Sequence, residues 1–288
     1  MSISYIGGKS KISSFITPHI PKDIETFVEP FSGMFWVFLK MKPEEFPNLK
    51  RIVYNDYNKL NWNLWSCIRD HKTLLEYCDS MLVQTKGQDT DPLCSMNFNR
   101  YQKEVFDSNL TLTEPNFEIA AKYAYVLTQV FSGANPEKAK FIDLKGKYHS
   151  KFTSFKNKLR DPKYQSLFEM ITNVENMDFQ EVIETYDSES TYFYVDPPYY
   201  VVGEGNYYSN HNFNNNDHLR LANTLKSIEG RFSLSYYDFE LLNEWFPKDE
   251  FKWDSQLFSK PSAAKKGVKQ TKAEEILIMN YGNIYSTY

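Results

Sequence analysis

The run Tyr192-Phe193-Tyr194-Val195-Asp196-Pro197-Pro198-Tyr199-Tyr200 decides how this chain is read. An apolar, aromatic stretch is followed at once by an acid, two prolines and two tyrosines. The first part has the composition of a buried strand. The prolines end it, because a proline lacks the N–H a ladder needs and fixes its own φ. Asp196 and Tyr199 are therefore expected at the carboxyl end of a strand, where open α/β sheets place their ligands. A carboxylate beside a rigid proline carbonyl offers two acceptors. Together they can hold both hydrogens of an exocyclic NH₂ and turn its lone pair out of conjugation. Tyr199 adds a flat face on which the ring bearing that amine can stack. An amine held this way is prepared to attack an electrophilic methyl group. A plain strand end with a tight turn would use the same four residues, so the reading depends on what accompanies them.

Upstream, Thr26-Phe27-Val28-Glu29 reads as a short strand turned by Pro30-Phe31-Ser32-Gly33. An apolar helix is expected over Met34–Met41, stopped before Pro43. Arg51-Ile52-Val53-Tyr54 reads as a second strand ending in Asn55-Asp56. Strand, glycine turn, helix, strand and acid is the layout of a nucleotide-binding βαβ unit. Asp56 lies 23 residues beyond Gly33, near the spacing at which an acid grips ribose hydroxyls. Before this unit, Gly8-Lys9-Ser10 opens a segment in which Ile12, Phe15 and Ile16 are spaced as a helical face.

Downstream, strand signals fall at 171–174, 232–235, 251–258 and 275–279, with helices near 178–187, 215–229 and 238–246. The last two strands leave no room for a crossover helix and are expected to form an antiparallel hairpin at the sheet edge. From 57 to 170 helical patterns predominate (57–70, 97–107 and 116–131), with a basic, glycine-containing tip expected near 132–160. The fold class expected is α/β: a Rossmann-like sheet, mostly parallel, formed by 1–56 and 171–288 and carrying a helical insertion at 57–170.

Composition excludes several classes. At 288 residues with 41% hydrophobic and 24% charged residues, the chain is ordinary for a globular protein that buries a substantial core. No apolar run approaches a membrane span, and the N-terminus lacks a signal-peptide core. Cys67, Cys78 and Cys94 are odd in number and lack metal-type spacing, which favours a reducing, cytoplasmic setting. None follows a proline as a Pro-Cys nucleophile would, which argues against attack on a pyrimidine ring carbon. Five unclustered histidines give no reason to expect a metal. The net charge of −4 hides a strong asymmetry. Residues 137–160 hold eight Lys/Arg against Glu137 and Asp143, and 258–272 hold five Lys and no acid, leaving −15 for the remainder. Solvated loops and phosphate contacts both account for such runs.

With these pieces in one chain, the sequence resembles the Dam-like DNA adenine-N6 methyltransferases, which use S-adenosylmethionine. The resemblance is carried by Tyr5-Ile6-Gly7-Gly8-Lys9, Val28-Glu29-Pro30-Phe31-Ser32-Gly33, Asn55-Asp56 and Asp196-Pro197-Pro198-Tyr199. Further matches are Phe213 with Asp217-His218-Leu221, the run Phe232–Asp238, and Glu275–Tyr281. It covers about 1–70 and 170–288 well and the middle loosely. Its order is that of the subgroup whose target-recognition insert separates the cofactor and catalytic motifs.

The resemblance implies that Tyr5, Gly8 and Lys9 flank the methionine end of the cofactor, an aromatic face suiting a sulfonium. Glu29, Pro30, Phe31 and Gly33 would line the cofactor, and Asp56 would hold its ribose. Asp178 and Phe179 would meet its adenine. Asp196 would touch both ligands, while Pro197, Pro198 and Tyr199 bind the target amine and ring. Double-stranded DNA would be the partner, contacted by Lys145, Lys147, Lys151, Asn214, Lys265, Lys266 and Lys269. The target base would be flipped out of the duplex and methylated directly, with no covalent enzyme intermediate. The segment 200–216 would close over it as a lid, although a loop without that role would have the same composition. A restriction endonuclease partner, a prokaryotic or viral-host cytoplasm, and a monomer or weak dimer complete what is implied. The Asp-Pro-Pro-Tyr tetrad serves the N4 amine of cytosine equally well, and a cofactor- or DNA-binding module without turnover is a further alternative. Two positions depart from the pattern. Phe35 stands where a second glycine is usual, and Phe131-Ser132-Gly133-Ala134 replaces a Phe-Asn-Gly motif ending in arginine.

Overall fold

The structure, a computed structural model, describes residues 12–81, 92–130, 135–141, 149–200, 213–259 and 272–282. It divides into two compact units, residues 12–57 with 175–282 and residues 58–174. In chain order the first segment holds α1 (Ser13–Ile16), β1 (Thr26–Glu29) and β2 (Arg51–Asn55). Then come α2 (Lys59–Ile68), α3 (His71–Ser80), α4 (Pro92–Val105), α5 (Phe117–Gln129), α6 (His149–Arg160) and α7 (Pro162–Glu169). The remainder is β3 (Asn173–Glu175), α8 (Phe179–Tyr186), β4 (Thr191–Val195), α9 (Asn215–Ser227), β5 (Arg231–Tyr236), α10 (Leu242–Trp245), β6 (Lys252–Ser259) and β7 (Lys272–Met279).

The seven strands form one sheet in the order β3-β2-β1-β4-β5-β7-β6. β1 pairs in parallel with β2 and β4, and β4 with β5. β7 runs antiparallel between β5 and β6, so the last two strands are the hairpin expected at the edge. The sheet is a mostly parallel, Rossmann-like one. Its strand order reverses between β1 and β4, and the crevice beyond the carboxyl ends at such a switch point is where these sheets bind ligands.

Every residue of β1 and β4 is buried, because helices and loops cover both faces. On one face Val28, Phe193, Val195, Leu234 and Ile278 pack against Val182 and Ile183 of α8 and Leu221 and Leu225 of α9. On the other, Phe27 meets Phe35, Phe38 and Tyr192. The hydroxyls of Tyr192 and Tyr194 there bond to Ser233 and Ser235 two rows along β5, each at 2.9 Å.

The helix expected over Met34–Met41 is not formed; turns lead to a 3₁₀ turn at Phe38–Lys40. Phe35 adopts a left-handed φ of 54°, which an α-helix cannot contain, and the Phe38 amide is taken by the Glu29 carboxylate at 3.0 Å.

Among its described residues the unit at 58–174 has only helices as regular elements apart from its share of β3, joined by turns and irregular segments. Asn63 locks α2 to the start of α5, donating to the Asn116 carbonyl at 3.0 Å and accepting from the Asn116 amide at 2.7 Å. The basic tip expected near 132–160 includes helix α6. Phe152, Phe155 and Leu159 bury a stripe at helical spacing beneath its lysines. Lys156 and Arg160 grip Asp79 of α3 at 2.9 and 2.6 Å. α3 and α7 lie beyond the helices expected from the pattern, though Asp70 and Asp161 cap them with side chains that accept from the Thr73 and Lys163 amides. Among the described residues no helix is long and apolar enough to cross a membrane.

Candidate active site

The turn after β1 is fixed by its own short side chains. Ser32 donates its hydroxyl to the Glu29 carbonyl at 2.6 Å, and its oxygen accepts from the Asn55 amide at 3.1 Å. The buried Asn55 side chain donates to the carbonyls of Pro30 (2.8 Å) and Met177 (3.2 Å) and accepts from the Met177 amide (2.9 Å). One amide thus ties together the ends of β1 and β2 and the entry to α8. Gly33, at φ 50°, donates its amide to Asp56 Oδ2 at 2.9 Å. A side chain at Gly33 would strain this turn and stand where the backbone must remain approachable.

Beside this turn lies an aromatic group on the same unit. Phe31 and Phe179 stack at 5.5 Å, and Phe213 meets them at 5.7 and 5.6 Å. Asp178 caps α8, accepting from the Gln180 amide at 2.9 Å. Both of its oxygens also take the fork of Arg220, at 2.6 and 2.9 Å, while that guanidinium lies 4.1 Å over the Phe179 ring. Burial opposes ionisation of Asp178, but these bonds outweigh it and hold the carboxyl below its ordinary range.

At the end of β4, Asp196 is half-buried and Pro197 buried. The register Val28↔Phe193 sets Glu29 beside Tyr194, so Glu29 and Asp196 emerge from neighbouring strands. Burial pushes Glu29 well above the usual carboxylate range, the Phe38 amide pulls it back, and the Asp196 charge adds to the rise. Burial likewise raises Tyr194, and the charges of Asp196, Glu275 and Glu29 all act on its hydroxyl. Tyr199 stacks on Tyr237, with centroids 4.3 Å apart and planes 30° from parallel. Its hydroxyl donates to Glu275, at 3.1 and 3.3 Å from the two carboxylate oxygens.

Of the residues expected from sequence, Glu29, Pro30, Phe31, Gly33, Asp56, Asp178, Phe179, Asp196, Pro197, Pro198 and Tyr199 stand on the carboxyl-end loops of one sheet. Asn214 is the N-cap of α9, in a capping box with Asp217. Lys151 lies on α6 in the helical unit. Tyr5, Gly8, Lys9, Lys145, Lys147, Lys265, Lys266 and Lys269 lie outside the described residues, as does 201–212 of the expected lid.

The chain matches the D12 class N6 adenine-specific DNA methyltransferase family over residues 5–257. It belongs to that family. This adenine methyltransferase is 24% identical over 246 residues to the type II methyltransferase M.MjaIII of Methanocaldococcus jannaschii, covering 80% of each chain. It is 25% identical to M1.LlaDCHI of Lactococcus lactis, over 97% of this chain and 94% of the relative. A third relative, M.CviBI of the Paramecium bursaria Chlorella virus NC1A, is 24% identical over 88% and 92%. The enzyme transfers a methyl group to the N6 amine of adenine in DNA.

Four residues of the adenine methyltransferase take roles that the sequence alone did not assign. Asn55 stood out only beside Asp56, and Tyr237 and Glu275 only within longer matched runs. Arg220 did not stand out, because nothing in the sequence marks it as facing Asp178. An acid directly abutting an apolar strand run, as Glu275 does before Ile276-Leu277-Ile278, is the signal that could have found one of them.

Proposed function

We propose that this enzyme takes its methyl group from S-adenosylmethionine, bound across the β1–β4 switch point, and acts on an adenine flipped out of double-stranded DNA. The observation that carries the reading is the convergence of Asp196, Tyr199 and the Glu29–Gly33 turn at adjacent carboxyl ends. The residues fit the cofactor. The backbone at Gly33, whose amide Asp56 holds, offers a close approach, and Asp56 offers a ribose acceptor. Asp178, kept ionised, can accept from an adenine amine beside Phe31 and Phe179. Glu29, Pro30 and Asp196 would line its amino-acid end, together with Tyr5, Gly8 and Lys9. Bound there, the cofactor supplies an electrophilic methyl on a sulfonium.

The remaining work falls to the chain. Asp196 and a carbonyl of the Pro197-Pro198 pair accept the two amine hydrogens and free the nitrogen lone pair. Pro198 and Tyr199 hold the ring, and flipping is required because the amine is out of reach within a stacked duplex. No group here needs to become covalently attached. Positioning of this kind supplies roughly 7–11 kcal/mol of a barrier. The helical unit at 58–174 would read the target sequence, with Lys145, Lys147, Lys151, Asn214, Lys265, Lys266 and Lys269 on phosphates or bases. The type II names of the relatives support a partner restriction endonuclease, and their archaeal, bacterial and viral sources support a prokaryotic or viral-host cytoplasm.

The test is transfer of labelled methyl from S-adenosylmethionine to unmethylated mixed DNA, followed by nucleoside analysis. Label is expected in N6-methyladenine, and Asp196→Ala is expected to lower turnover about 10²–10³-fold, the scale of removing one preorganised polar group. A variant that stays folded and keeps turnover within threefold of the parent would refute the role of Asp196.

A further inference from the structure

We infer that Glu275 is a positioning residue: it holds the Tyr199 hydroxyl so that this ring, backed by Tyr237, presents one fixed face to the target base. The inference rests on the functional reading above. Glu275 is 3% exposed, and a carboxylate is seldom buried without a task. It reaches this place only because β7 is antiparallel. The register Ser235↔Leu277 and Tyr236↔Ile276 brings the start of β7 to the end where β1, β4 and β5 finish. Both carboxylate oxygens lie within 3.3 Å of the Tyr199 hydroxyl, so the bond survives small rotations of either side chain. Tyr237 occupies one face of Tyr199. A base stacking on Tyr199 must use the opposite face, which makes base, Tyr199 and Tyr237 a three-ring pile. The hydroxyl bond then fixes rotation of the middle ring within the pile, which stacking leaves free. Asp196 precedes Tyr199 by three residues, so the ring held by this hook and the amine acceptor belong to one short stretch of chain.

The experiment measures kcat, KM for DNA and cofactor affinity on methyladenine-free genomic DNA for Tyr199→Phe, Glu275→Ala, Glu275→Gln and the Tyr199→Phe/Glu275→Ala pair. Phenylalanine stacks as well as tyrosine, so any loss in Tyr199→Phe reports the hydroxyl bond. The expected result is a kcat lowered about 10-fold or more in Tyr199→Phe and Glu275→Ala, the scale of a small misplacement at a reacting centre. Cofactor affinity should stay within about twofold. Glu275→Gln, whose amide oxygen still accepts, should recover part of the loss. In the Tyr199→Phe background Glu275→Ala should cost less than about twofold more, because the shared bond is already gone. Multiplying effects, or a wild-type kcat in Tyr199→Phe, would overturn the inference, and the latter holds even if Glu275→Ala fails to fold. A parent enzyme that puts no label into N6-methyladenine would instead strike the functional reading.

Discussion

Phe35 shows how one residue can break a local rule and be kept in place by its neighbours. Its left-handed φ costs a non-glycine residue roughly 1–2 kcal/mol. The ring is fully buried, packed at 4.7 Å from Phe38 and 5.2 Å from Tyr54. The position therefore keeps the backbone conformation that a glycine adopts freely, while the side chain turns into the core. Phe35→Gly relieves the strain but removes a buried aromatic ring, worth about 3–5 kcal/mol. A net destabilisation of about 2–3 kcal/mol is expected in urea melts, with S-adenosylmethionine affinity within about twofold of the parent. His218 offers a second residue-level prediction. It is buried, shares a 2.6 Å hydrogen bond with Tyr236 and lies edge-on to Phe213 and Tyr200. Burial pushes its imidazole from 6.5 down to about 4, against the pull of Asp217. The unfolded chain takes up this proton near pH 6.5 and the folded one does not until about 4. Stability is thus complete above pH 6.5 and falls as pH drops toward 4, by about 3 kcal/mol for this group. Denaturant melts at pH 7, 5.5 and 4.5 check the slope, and His218→Gln should flatten it.

At the scale of elements, strands were more legible than helices. β1, β2 and β4 announce themselves by apolar runs closed by acids or prolines, because both faces of the sheet are covered, and β5 by apolar residues alternating with Ser233 and Ser235. The turn after β1 was legible only in part. Gly33 pointed to a close approach, but nothing local shows that Glu29 captures the Phe38 amide in place of a helical carbonyl. That bond depends on burial, which sequence spacing does not report. Asn55 joins three elements for the same reason, since its carbonyl partners come from positions 30 and 177. Asn55→Ala leaves the Met177 amide and two carbonyls without this partner. Each orphaned buried group costs about 1–3 kcal/mol. The expected result is a protein destabilised by about 3 kcal/mol or more, with weakened S-adenosylmethionine binding measurable by calorimetry. Undiminished stability would mean that water replaces the amide.

For the whole molecule, the charge distribution along the sequence is only partly a map of function. Among the eight basic residues of 137–160, Lys156 and Arg160 are committed to Asp79, so that run overstates the charge available to a polyanion. The lysine run at 258–272 has no acid in its own stretch. Neutralising Lys265, Lys266 and Lys269 together should therefore reduce the slope of log affinity for DNA against log salt by about 3, near one unit for each phosphate left without its cation. A slope unchanged within error would return these lysines to solvation alone. The catalytic half was readable because its chemistry lies in short motifs at strand ends. The helical half was legible in part: α2, α4 and α5 fall where helical patterns were expected, but α6 hides an apolar stripe among lysines and its partners are distant in sequence.

The hairpin of β6 and β7 carries one more implication, for how relatives of this enzyme can diverge. Eight cross-strand pairings, from Lys252↔Met279 to Ser259↔Lys272, set where Glu275 comes to rest. A single residue gained within β7 would exchange Glu275 for a neighbour facing away. The ladder must therefore be copied without slippage wherever the hook on Tyr199 is kept.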